Sequence, residues 1–217
     1  MISVVIPTLN EARGLESLLP RLAREDEPAQ IIVVDGSSAD ESAEVAGRLG
    51  AQVLSAPRGR GTQLHAGVRA ARGEVLFFLH ADTVFPPGGL SAINRALEGH
   101  PQAVGGNFRL LFDGDDAFDR WLEGFYAWIR SKGLYYGDSG IFIRRSSYER
   151  IGGIRALTLM EDFDLVRRME ADGPTLCIQD PPLMTSSRRF RGRHPVAIFL
   201  GWLKIHLLYA CGMSPGR

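Results

Sequence analysis

Cysteine is scarce. Cys177 and Cys211 are the two in a chain of 217 residues, and they make neither a disulfide framework nor a metal-ligand spacing. That fits a reducing compartment, so a cytoplasmic protein is expected. A surplus charge is lacking as well. Lys+Arg and Asp+Glu both number 25, so no global field draws the chain to nucleic acid, which is not an expected partner, and any anion site has to be local. No uninterrupted apolar run reaches the roughly 18 residues of a spanning helix. The N-terminus has no basic stretch followed by an apolar one: Met1–Ile6 runs straight into Pro7, so no secretory leader is expected. Internal repeats and low-complexity linkers are absent too, which points to a single folded domain.

What the sequence does hold is centred on Val75–Thr83. Val75-Leu76-Phe77-Phe78-Leu79 is a continuous apolar run, the pattern of a strand buried on both faces of a parallel sheet. It ends abruptly in His80 and Asp82, which are two apart and so point the same way at a strand end. Upstream, Ile2–Ile6 and Ile31–Val34 read as buried strands and Gln52–Ser55 as a third. Helices are expected over Gly14–Arg24, from an Asp40 N-cap to Leu49, and over Thr62–Arg72, the last two closed by Gly50 and Gly73. Short connections between alternating strands and helices imply a parallel sheet with right-handed crossovers.

Polar residues follow each of those strands. Thr8, Asn10 and Glu11 come after the first, and Asp35, Gly36 and Ser37 after the second. Arg58 and Arg60 follow the third between glycines, and His80 and Asp82 follow the fourth. In an open α/β sheet this rim is where ligands bind. Acidic groups suit a ribose or base edge, and an arginine between glycines suits a phosphate, so the composite points to a nucleotide site with a divalent cation.

Val4-Val5-Ile6-Pro7-Thr8-Leu9-Asn10-Glu11, Val33-Val34-Asp35-Gly36-Ser37-Ser38 and Phe78-Leu79-His80-Ala81-Asp82-Thr83 resemble the three signature stretches of family 2 glycosyltransferases. Gly137-Asp138-Ser139-Gly140-Ile141-Phe142 and Met160-Glu161-Asp162-Phe163-Asp164-Leu165 resemble that family's acceptor-side segments. The resemblance runs over roughly residues 2–190. It is nearest to a small bacterial subgroup of soluble transferases encoded beside radical-enzyme genes. It implies a GT-A fold and inverting transfer of a sugar from a nucleoside-diphosphate donor, with a UDP-sugar as the expected donor. It also implies roles. Pro7, Thr8, Asn10 and Glu11 would line the base and ribose, with Asp35, Gly36 and Ala81 on the same nucleotide. Arg60 would lie near the diphosphate. Asp82 would hold Mg²⁺ or Mn²⁺, with His80 as a second ligand where the family's usual Asp-x-Asp is departed from. Asp162 would be the general base and Glu161 the second choice. Gly137 and Asp138 would stand on the acceptor and diphosphate side, and Arg188 and Arg189 in a basic loop that closes over the diphosphate.

The second half is expected to supply a helix over Gly89–Leu97, a strand region over Ala103–Phe112, an aromatic core helix over Ala117–Arg130 and a strand over Gly140–Ile143. Gly105-Gly106 are expected to bring backbone close to the donor sugar, and Ser146–Glu149 to open a short helix with capping-box spacing. The expected layout is a GT-A domain over 1–194, donor half 1–112 and acceptor half 113–194, then an apolar helical tail over 195–217. Residues 195–211 are too short to span a membrane and suit packing on the domain, a homodimer or a membrane surface near a lipid-linked acceptor, as an alternative to a small-molecule one. A nucleotidyltransferase on a similar fold and a non-catalytic nucleotide- or glycan-binding module remain the competing readings.

Overall fold

The computed structural model of the chain describes residues 1–114, 116–155, 157, 160–186 and 195–210. Among the described residues seven strands form one sheet: β1 (Ile2–Thr8), β2 (Ala29–Asp35), β3 (Gln52–Ser55), β4 (Val75–Phe78), β5 (Gly105–Phe112), β6 (Ile141–Arg144) and β7 (Thr175–Thr185). Their order is β3-β2-β1-β4-β6-β5-β7. All neighbours are parallel except at β6, which runs antiparallel to both β4 and β5.

The continuous apolar strands have two faces to bury, and period two sorts their side chains between them. Val4, Ile6, Val33, Phe77 and Phe142 face one core with α1 (Ala12–Leu22), α2 (Ser42–Arg48) and α4 (Gly89–Gly99). Val5, Ile32, Val34, Leu76 and Phe78 face the other with α3 (Arg60–Ala70), α6 (Arg145–Arg150) and α7 (Glu161–Asp172). A smaller core joins β5 to α5 (Ala117–Arg130) and α8 (Pro195–Ala210) through Leu110, Phe112, Leu122, Tyr126, Ile129 and Ile198. The strand order reverses at β1, which has β2 on one side and β4 on the other. This is the switch point where an α/β sheet opens a crevice at its carboxyl edge. Val5 pairs with Phe78, so Pro7 and Thr8 rise past the end of β4 beside His80.

Several expectations from sequence are corrected. β7 was not expected. Pro181 and Pro182 interrupt its pattern, and as an edge strand it tolerates them beside a register shift between Phe108 and Leu110. Asp40 lies one residue before the N-cap of α2. Its carboxylate instead accepts the Ser42 N–H at 3.1 Å and the Ala12 N–H at 3.2 Å, tying two rim loops together. Among the described residues no side chain caps α6, so the Ser146–Glu149 spacing forms no capping box. On α5, Leu122, Tyr126 and Ile129 are buried, but Trp121 and Trp128 remain 46% and 59% exposed. Phe118, Phe125 and Trp202 pack against the smaller core, and with Trp121 they stack in a ladder with centroid spacings of 5.7, 5.4 and 5.5 Å.

α8 packs one side onto the domain. His206 meets the Tyr136 hydroxyl at 2.9 Å, and the Tyr209 hydroxyl donates to Asp164 at 3.1 Å. Among the described residues no helix is long and apolar enough to cross a membrane.

Gly105 and Gly106 belong to the strand pairing. A Cβ on Gly105 would meet the Phe142 carbonyl oxygen at 2.2 Å, and one on Gly106 the Leu176 carbonyl oxygen at 2.0 Å. They lie at the amino end of β5, level with the middle of β4 through β6, where backbone packing excludes a side chain. Gly106→Ala is therefore expected to lower the unfolding free energy by about 2 kcal/mol in urea denaturation. An unchanged midpoint would show that β5 and β7 part there without cost.

Candidate active site

The rim is built by loops that hold one another. Gln63, buried in α3, donates from Nε2 to the carbonyls of Thr8 and Val34, both at 2.8 Å, and so staples the carboxyl ends of β1 and β2. Gly36 N–H donates to the Thr8 carbonyl at 2.9 Å. A Cβ on Gly36 would meet Gln63 Nε2 at 2.9 Å, so a glycine keeps that staple in place. Among the described residues the non-glycine positions at positive φ are Asn10 (55°), Ser37 (67°) and Met160 (65°), and each lies in a loop of this rim. Strain of this kind persists only where surrounding structure holds it, and it gathers at functional sites.

The candidate residues divide into two groups. Asn10 and Asp35 shape the loops of the base and ribose side. Asn10 N–H donates to Ser38 Oγ at 2.9 Å, and its Oδ1 accepts the Ala39 N–H at 2.7 Å. Asp35 accepts the N–H groups of Ser37 and Ser38, both at 3.0 Å, and the Ser38 hydroxyl. Glu11 N–H donates to Ser42 Oγ at 2.9 Å. Ala81 is buried in the core, and its carbonyl oxygen lies where a Cβ on Gly14 would stand, 2.5 Å away. Its side chain therefore belongs to the packing between α1 and the sheet.

The second group converges. Pro7, Arg60, His80, Gly137 and Asp162 line one cavity, floored by Leu64, Phe78, Ile141, Ile154 and Leu165. Arg60, the first residue of α3, joins the rest. Its Nε donates to Glu161, its NH2 forms an ion pair with Asp162 Oδ2 at 2.9 Å, and NH1 lies 3.2 Å from His80 Nε2. Glu161 is thus the partner that grips Arg60, which sequence reasoning took for a second base. Asp162 also accepts the Gly137 N–H at 2.9 Å and the Phe163 N–H at 2.8 Å. A Cβ on Gly137 would lie 3.0 Å from His80 Nε2 and 3.2 Å from Asp162 Oδ2, so a side chain there would crowd both. Asp138 accepts the Tyr126 hydroxyl at 2.8 Å. Asp164 is structural: it accepts from Arg155, Arg168 and Tyr209 at 3.2, 2.5 and 3.1 Å. Arg188 and Arg189 lie outside the described residues.

Burial pushes the Asp162 carboxyl upward, but the Arg60 charge and the two backbone N–H groups outweigh it and hold the group below its ordinary value. Burial raises the Tyr136 hydroxyl to about 12, aided by the charges of Asp162 and Asp138.

For metal, the donor set is one-sided. Asp82, half-buried in the turn after β4, supplies hard carboxylate oxygens of the kind that suit Mg²⁺ or Mn²⁺. His80 Nε2 is already engaged by a cation. Among the described residues no group of three or more His, Cys, Asp or Glu could hold an ion by itself. Asp82 fits a metal whose remaining ligands come from a diphosphate and water.

Sequence reasoning missed Gln63 and Ser42, which carry no motif, and the part that Ser38, inside its signature stretch, plays in holding Asn10 and Asp35. It also missed the Arg60–Glu161 pair, whose members are 101 residues apart.

His80 gives a pH test. Burial and then the Arg60 charge drive its pKa from 6.5 to about 4. The unfolded chain therefore binds more protons than the fold between those values. The stability tied to His80 is complete above about pH 6.5 and is lost as pH falls toward about 4. His80→Gln, which cannot titrate, is expected to lose less stability than wild type between about pH 7.5 and about pH 5, read from urea midpoints with a chelator present. Equal losses would show that His80 accepts its proton in the fold at no cost.

Solved structures share this fold. The mannosyltransferase PcManGT from Pyrobaculum calidifontis, in complex with GDP-Man and Mn²⁺, superposes with a TM-score of 0.66 at 20% identity, over 86% of this chain and 56% of that one. Glucosyl-3-phosphoglycerate synthase from Mycobacterium tuberculosis, in complex with Mn²⁺, UDP and glucosyl-3-phosphoglycerate, gives 0.67 at 19% identity, over 100% of this chain and 81% of that one. By sequence, an uncharacterized glycosyltransferase of M. tuberculosis is 37% identical over 111 residues, 50% of this chain and 49% of that protein. The undecaprenyl-phosphate 4-deoxy-4-formamido-L-arabinose transferase of Pseudomonas aeruginosa is 33% identical over 163 residues, 66% of this chain and 46% of that protein. The chain spans about half the length of these curated relatives. The profile described as "Glycosyl transferase family 2" matches residues 3–157, well over half of the sequence, and the chain belongs to that family.

Proposed function

We propose that this chain transfers a sugar from a nucleoside-diphosphate donor, a UDP-sugar, to an acceptor hydroxyl with inversion at the anomeric carbon. The observation that carries the reading is the convergence of Arg60, Gly137 and Asp162 beside the β4 end that bears Asp82. The donor half, 1–112, brings Pro7, Thr8, Asp35 and Gly36 to the base and ribose and Arg60 to the diphosphate. The acceptor half, 113–194, brings Gly137, Asp138 and Asp162.

Asp82 would hold Mg²⁺ or Mn²⁺ together with diphosphate oxygens, and the bound ion would offset charge on the departing diphosphate. Asp162 takes the acceptor proton as the acceptor oxygen bonds to the anomeric carbon and the sugar–diphosphate bond breaks. In the structure Asp162 is a weak base, because Arg60 is paired with it. A bound diphosphate competes for the same guanidinium, which makes the carboxylate more basic once the donor is in place.

The motifs favour the small bacterial subgroup encoded beside radical-enzyme genes. The acceptor is a lipid-linked or small-molecule hydroxyl. Leu200 and Leu207 on the outer side of α8, 56% and 57% exposed, are the residues through which 195–211 would meet a second copy or a membrane surface. The expected location is the cytoplasm, with or without that surface contact.

Hydrolysis of UDP-sugars, with water as acceptor, tests the roles without knowledge of the natural acceptor. Asp162→Asn is expected to keep UDP affinity within about threefold while lowering turnover by about 10²–10⁴. Normal turnover would assign the base elsewhere. Asp82→Ala is expected to abolish the response of UDP binding to Mn²⁺. An unchanged response would remove Asp82 from the ion.

A further inference from the structure

We infer that His80 is a positioning residue for Arg60 and does not coordinate the metal, so that Asp82 is the ion's ligand on this strand end. The inference deepens the proposed transferase site and rests on it for the ligands named. The geometry of His80 itself stands apart from that reading.

A guanidinium has five N–H donors and no acceptor. Arg60 NH1 lies 3.2 Å from His80 Nε2, so Nε2 has to be the acceptor, and the imidazole is neutral with its proton on Nδ1. Glu161 takes Nε–H, and the Asp162 carboxylate forms an ion pair with NH2 at 2.9 Å. Partners from the start of α7 and the end of β4 thus fix the fork in one plane. The N–H groups that remain on the terminal nitrogens are the donors a diphosphate would meet, in competition with Asp162.

The residue type at position 80 follows from charge. Arg60 is already matched by two carboxylates, Glu161 and Asp162, the first of them 3% exposed. A third carboxylate at position 80 would leave surplus negative charge in a half-dry cavity, at the cost of desolvating it. A neutral imidazole accepts the hydrogen bond and adds no charge. The same contact disqualifies Nε2 as a metal ligand, because a divalent ion there would take the lone pair from Arg60 and stand against its positive charge.

The tautomer is measured on metal-free, ¹⁵N-labelled protein by long-range ¹H–¹⁵N correlation, with His80→Gln assigning the signal. A protonated Nδ1 and an unprotonated Nε2 are expected; the reverse tautomer overturns the inference. Pulsed electron paramagnetic resonance on the Mn²⁺–UDP complex is expected to show no histidine ¹⁴N coupling that His80→Gln removes; such a coupling overturns it too. UDP titration with Mn²⁺ supplies the functional arm. His80→Gln, whose amide oxygen still accepts from Arg60, is expected to stay within about threefold of wild type, whereas His80→Leu loses about tenfold or more. Equal losses in both variants contradict positioning by that hydrogen bond. A wild-type chain that binds no UDP would sink the transferase reading, and the tautomer would still decide what His80 does.

Discussion

One guanidinium joins the working parts of this molecule. Arg60 stands at the first residue of α3, on the half of the chain that forms β1 to β4, and its charge is met by two successive carboxylates that open α7. Breaking such a partly buried network by removing one member would leave an uncompensated charge, so the two halves are held in register by it. The positive end of α7 already favours acids at Glu161, Asp162 and Asp164, and they divide the work between them. Glu161 grips Arg60, Asp162 faces the cavity with two backbone N–H groups on it, and Asp164 anchors Arg155, Arg168 and Tyr209 behind it.

The sheet makes that meeting possible. Reversal of strand order at β1 opens the crevice, and the antiparallel β6 then places Gly137–Gly140, just ahead of it, opposite the end of β4. Gly137 sits between His80 and Asp162 because a side chain there would press on both. Gln63 holds β1 and β2 together from below, so that Thr8 and Asp35 keep one height on the rim.

The first half of the fold was legible because its signals are local. Gln52–Ser55 was read to the residue, and the apolar runs at Val4–Ile6 and Leu76–Phe78 stated their burial on both faces. The rim residues could be found from strand ends alone. What escaped depends on residues distant in sequence. The Arg60–Glu161 contact has no local trace, and Gln63 looks like any surface glutamine of a helix. β7 hid behind Pro181 and Pro182, which an edge strand accepts and an inner strand would not. Trp121 and Trp128 followed the helical stripe that usually marks a core, yet they lie outside it, because the stripe on α5 is wider than the surface that β5 and α8 cover. The glycine pair Gly105-Gly106 was read toward a ligand, when adjacent strands alone account for it.

Calorimetric titration of UDP into the intact chain, with and without Mn²⁺ and beside GDP and CDP, tests most directly whether this rim is a donor site. Selective binding of UDP that strengthens when Mn²⁺ is present is the expected result. Absence of binding to all three nucleotides under both conditions would contradict it and would leave the Arg60 network as a structural clamp between the two halves of the sheet.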